Sequence, residues 1–149
     1  MTHAIAPASH DGVLASLELL AARGEDPTAL VYDRLFALHP DYRTRFGRDM
    51  DDAVKGAMLS QTISAMFEFL GDPRAGGYGL ATEMVAHEGY DIPREVFISF
   101  FVVIREVARD SLGDAWTVAF EAGWADLVDA IEAYLGDVVP SDVDYTHSG

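Results

Sequence analysis

The chain has 149 residues, half of them hydrophobic, which is the size and apolar content of one folded domain rather than of a disordered segment or a two-domain protein. Ten Lys and Arg against 25 Asp and Glu leave a formal charge of −15, so nucleic acid and anionic membrane surfaces are excluded as expected partners by simple repulsion. Cysteine is absent, which excludes disulfides, thiolate-held metals, iron–sulfur clusters and a thiol nucleophile.

Met1 to Asp11 is small and polar and reads as a flexible N-terminus. It has neither the basic cluster nor the apolar run of a signal peptide, so the expected location is cytoplasmic. Val13, Leu17 and Leu20 then repeat at helical spacing up to Gly24. Asp26 and Pro27 are an N-cap and a first-turn proline, opening a helix through Val31, Leu35 and Leu38 that Pro40 breaks. Asp41 to Phe46 predicts a short helical turn stopped by Gly47. Asp51 and Asp52 place negative charge at the start of a long helix to Leu70, where the helix dipole favours it.

Gly71, Pro73, Gly76 and Gly77 read as the loop behind that helix. A shorter helix follows, with Leu80, Met84 and His87 on one face, ending at Gly89. Asp91 and Pro93 start the next, whose stripe is Phe97, Phe100, Phe101, Ile104, Val107 and Leu112. After Gly113, the stripe Trp116, Phe120, Trp124, Leu127, Ile131 and Leu135 predicts the last helix. The longest apolar run, Val96 to Ile104, falls well short of the ~20 residues a membrane span needs. With no sustained strand alternation, the expected fold is all-α: about seven helices in one domain over residues 12–135, between a flexible segment 1–11 and an acidic flexible tail 136–149.

Three stretches carry a family resemblance. Val31-Tyr32-Asp33-Arg34-Leu35-Phe36, with His39-Pro40 and Phe46 behind it, resembles the second and third helices of globins. Val85-Ala86-His87-Glu88-Gly89-Tyr90-Asp91-Ile92 looks like the globin stretch that carries the proximal histidine. Leu112-Gly113-Asp114-Ala115-Trp116-Thr117, followed by Trp124, resembles the family's last interhelical corner. Together they cover roughly Gly12 to Leu135, and are most similar to single-domain bacterial haemoglobins and the globin half of flavohaemoglobins.

That resemblance implies a globin-like fold around haem b (iron protoporphyrin IX), with dioxygen or another diatomic gas such as NO or CO as ligand. His87 is then the proximal iron ligand, since neutral imidazole is a suitable axial donor for haem iron; the alternative is a histidine satisfied within the core. Phe46 is placed flat on the porphyrin, Tyr32 as the distal hydrogen-bond donor, and Met84, Ile92, Phe97 and Phe100 around the macrocycle. Lys55 aligns with the distal polar position, where bacterial globins more often carry Gln, and Leu59 one turn on is expected to line the same face. Three readings of Lys55 stay open: a solvated side chain, a partner for a haem propionate, or an iron ligand when deprotonated. Arg45, in a cluster with Arg43 and Arg48, is either a solvated turn residue or the partner of a propionate.

Phe97 stands where flavohaemoglobins carry a tyrosine in a hydrogen-bonded network below the proximal histidine. A phenyl ring neither donates nor accepts, so the expectation is gas carriage or sensing ahead of NO dioxygenation or peroxidation, either of which needs an external reductase. A further alternative is a haem-free globin-fold interaction module whose pocket is plugged by Met58, Met66 or Phe100. A homodimer is open under either reading. P-loop, HExxH and EF-hand motifs are absent, and the carboxylates are scattered rather than paired.

Overall fold

The computed structural model describes residues 5–24, 26–42 and 51–139. Within them the regular structure is helical and no strand occurs, as the 3.6-residue apolar period predicts. The helices are α1 (Pro7–Ala22), α2 (Thr28–Leu38), α3 (Asp52–Gly71), α4 (Pro73–Glu88), α5 (Arg94–Leu112) and α6 (Val118–Gly136), with a 3₁₀ turn at Gly113–Ala115. Residues 40–42 are also helical; the rest of the turn expected at Asp41 to Phe46 lies outside the described residues.

Local chemistry explains the boundaries. Asp26 Oδ1 accepts from the backbone N–H of Thr28 at 3.0 Å and from its hydroxyl at 2.6 Å, fixing the entry to α2, although the N-cap itself is Pro27, not Asp26, and α2 begins one residue later than expected. Asp51 accepts from Val54 N–H at 2.9 Å and caps α3. α5 stops at Gly113, whose φ of 51° is costly for any residue with a Cβ.

The two boundaries that differ most from the sequence expectation both have proline as their cause. α1 begins at Pro7, inside the segment expected to be loose, and α4 begins at Pro73, inside the expected loop. Proline at the first helical position sacrifices an N–H that has no partner there anyway. Asp72 completes the second start by accepting from Arg74 N–H at 3.2 Å.

Gly76 and Gly77 therefore sit within α4 and serve packing, not turning. A Cβ on Gly76 overlaps the Phe69 backbone, and one on Gly77 lies 2.7 Å from Tyr134 Cζ. Only a bare backbone lets α4 lie this close to α3 and α6. The helices pack in an interlocked set: α1 on α6 and α5, α2 on α5 and α3, and α4 on α3, α5 and α6. Val13, Phe69, Phe101, Trp124, Leu127 and Ile131 are buried at the centre. No helix among the described residues is long and apolar enough to cross a membrane.

Candidate functional site

Where α2, α3, α4 and α5 meet, their side chains leave a cavity of about 440 Å³. That lies within the range of small-molecule and cofactor pockets. Its walls are mainly apolar: Leu35 from α2, Leu80 from α4, Val96, Phe97 and Phe101 from α5, and Ile92 from the turn between α4 and α5.

His87 enters this cavity from the last turn of α4. Its Nδ1 lies 2.7 Å from the backbone carbonyl of Glu83, one turn earlier. A carbonyl can only accept, so Nδ1 holds the proton and the lone pair of the neutral ring resides on Nε2. Phe97 packs against the imidazole with ring centroids 5.1 Å apart and limits its rotation. The turn that follows is equally fixed: the His87 carbonyl accepts from Tyr90 N–H at 2.9 Å and from Ile92 N–H at 3.0 Å. Asp91 bends the chain there at φ 64°, a region aspartate tolerates better than most residues, and Ile92 is brought back onto the cavity wall.

Tyr32 reaches the cavity from α2 and is 3% exposed. Its hydroxyl is buried and has no hydrogen-bond partner among the described residues. Burial pushes the phenol up to about 12, so it stays protonated at physiological pH and remains a donor. Phe36 and Phe100 hold the ring at 6.0 and 5.5 Å between centroids. A buried donor without an acceptor costs stability.

The structure brings five of the sequence candidates to this cavity: Tyr32, His87, Ile92, Phe97 and Phe100 all line it. Lys55, Leu59 and Met84 do not. Leu59 and Met84 are buried in the core instead, one helical step off the cavity-facing stripes. On α3 that stripe is Met58, Gln61, Thr62 and Ala65, and on α4 it is Gly79, Leu80, Glu83 and His87. Lys55 stands one turn before Met58, with its ammonium 5.9 Å from the ring centroids of both Tyr32 and Phe36. Phe46 and Arg45 lie outside the described residues, as do Arg43 and Arg48.

Gln61 and Thr62 are wall residues that the sequence reading missed. Their spacing from Met58 and Ala65 (i+3, i+4, i+7) is the available signal, but polar residues at such positions read as a solvated face. Glu68 and Glu83 also line the cavity as exposed carboxylates, giving that rim negative charge.

Among the described residues no group of three or more His, Asp or Glu side chains could hold a metal ion. A single imidazole suits a metal that brings its other ligands with it, as iron in a porphyrin does. Compared with known proteins, the chain matches no family model, no curated protein and no solved structure.

Proposed function

We propose that this chain is a haem-binding, globin-type protein that reversibly holds a diatomic gas, with His87 as the iron ligand and Tyr32 as the donor facing that gas. The observation that carries the reading is the pairing of His87 and Tyr32 in one apolar cavity. The first is an imidazole whose Nδ1–H is anchored on its own helix; the second is a buried phenol whose hydrogen bond is unmade. Bound haem supplies an open coordination position for a neutral gas molecule.

The remaining work falls to the protein. His87 presents Nε2 in a fixed orientation, because the Glu83 carbonyl selects its tautomer and Phe97 its rotamer. Tyr32 holds a proton at Oη that a partly negative ligand atom can accept. Phe97, Phe100, Phe101 and Val96 give the cavity an apolar wall. Of the side chains that could plug a haem-free version, Met66 is packed in the core, while Met58 and Phe100 sit on the cavity walls.

Carriage or sensing is favoured over turnover. The partner of His87 Nδ1 is a neutral carbonyl and its ring neighbour is Phe97, so among the described residues no carboxylate bonded to Nδ1 makes the imidazole more electron-donating. NO dioxygenation or peroxidation would call on a separate reductase, and the cytoplasm is the compartment in which we place the protein.

Absorption spectra of the ferric, ferrous and CO-treated protein test the reading. Protein expressed with haem, or titrated with hemin, is expected to develop a strong Soret band that His87→Ala weakens or shifts while the helical circular dichroism is kept. A colourless protein that takes up no hemin overturns the proposal.

A further inference from the structure

We infer that Arg94 is a positioning residue: by tying Glu88 to the end of α6, it fixes how His87 and Ile92 face the cavity. Where iron is concerned, this rests on the haem reading above.

Glu88 is the last residue of α4 and Arg94 the first of α5. Each carries the charge that its own helix disfavours there, since the helix dipole repels an anion at the C-terminus and a cation at the N-terminus. Local helix stability therefore explains neither charge. Across the turn they meet: Arg94 Nε lies 3.7 Å from Glu88 Oε2, with only 24% and 31% of the two side chains exposed. The same guanidinium turns Nη1 to α6, donating to the carbonyls of Leu135 at 3.2 Å and Gly136 at 3.4 Å. Those carbonyls end α6, and a cation is favoured at that end. One planar fork thus joins the ends of three helices, through nitrogens that a lysine lacks. Glu88 depends on it. Among the described residues its Oε1 is buried with no hydrogen-bond partner, and its ion pair is with Arg94.

The bridge encloses the turn that His87 opens. Inside it the His87 carbonyl accepts from Tyr90 N–H and Ile92 N–H, and the Glu88 carbonyl accepts from Asp91 N–H at 3.1 Å. His87 and Ile92, at the two sides of that turn, both line the cavity. The backbone bonds hold the turn's shape but are internal to it. Arg94 adds a charged tie from both ends of the turn to α6, which is itself packed on α1, α4 and α5.

The experiment compares the unmodified protein with Arg94→Met and with Glu88→Gln, which removes the charge and keeps the side-chain size. In the haem-free proteins, hydrogen exchange is followed at the Tyr90 and Ile92 amides. In the ferrous, haem-loaded proteins, resonance Raman reads the iron–histidine stretching band. Both variants are expected to speed exchange at these two amides by about tenfold and to leave the buried Trp124 indole N–H within about twofold. Both are also expected to shift or broaden the Raman band. Faster exchange with an unmoved band overturns the positioning role, because the bridge is then structural alone. Unchanged exchange in either folded variant overturns the bridge itself, and if Arg94→Met does not fold, Glu88→Gln decides. A protein that takes up no haem overturns the haem reading instead, and the exchange rates then decide the bridge.

Discussion

Trp124 Nε1 donates to Ser16 Oγ at 2.7 Å across 108 residues of sequence, and Ser16 Oγ donates its own proton to the Val13 carbonyl at 2.7 Å. Both side chains are completely buried. This relay pins α6 to α1, where Gly12 and Gly123 let the two backbones approach: a Cβ on Gly12 lies 2.7 Å from Ala119 O. Ser16→Ala strands the indole N–H in the core, at an expected cost of about 1–3 kcal/mol. Urea unfolding measures it. Trp124→Phe should cost less in the Ser16→Ala background than alone, because there it also removes the stranded donor; equal costs in both backgrounds show that the bond contributes nothing.

Three glycines on α4 predict a ranked series. Gly76→Ala forces a methyl into the Phe69 backbone, which cannot move aside without separating α3 from α4, so the expected loss is about 1–3 kcal/mol or more. Gly77→Ala meets only the Tyr134 ring, which can rotate, and is expected to cost less. A Cβ on Gly79 meets nothing within 4 Å, so Gly79→Ala gains up to about 1 kcal/mol from helix propensity. Thermal midpoints in the order Gly79→Ala, then Gly77→Ala, then Gly76→Ala from highest to lowest support the packing argument, and a reversal of the outer two rejects it.

Tyr32→Phe should act in opposite senses with and without ligand. In the haem-free protein it deletes a buried hydroxyl that has no partner, so stability is expected to hold or to rise by up to about 2 kcal/mol. In the haem-loaded protein the same change removes the proposed donor, and dioxygen is expected to dissociate about tenfold faster. Calorimetry of the first and stopped-flow kinetics of the second are independent. A destabilised haem-free variant would reveal an acceptor for the phenol already present in the protein.

Asp26 links the start of α2 to pH. The Thr28 hydroxyl, and then the Thr28 N–H, hold its carboxylate below the ordinary value of 3.8. A lowered native value means that the stabilising contact with Thr28 is fully present above the ordinary value and is lost as pH falls through the lowered one. The difference in urea midpoint between the unmodified protein and Asp26→Ala is therefore expected to be constant from pH 7 to about pH 5 and to shrink below about pH 4. A difference that persists undiminished at pH 2 contradicts the assignment.

Helical class, the Asp26–Thr28 turn before α2, the Asp51 cap and the stop at Gly113 are local matters, set by residues within a turn of one another, and the chain alone determines them. The same holds for the Leu80–His87 face, since i and i+7 meet on a helix wherever it packs. What tertiary structure decided is which stripe of each helix faces the cavity. On α3 a single step of about 100° exchanges Leu59 for Met58 and Thr62, and apolar content does not fix that rotation, because a pocket wall and a core both favour nonpolar residues. Gly76 and Gly77 follow the same rule: a turn and a close helix contact both call for glycine, and only the neighbours Phe69 and Tyr134, brought in by the fold, distinguish them.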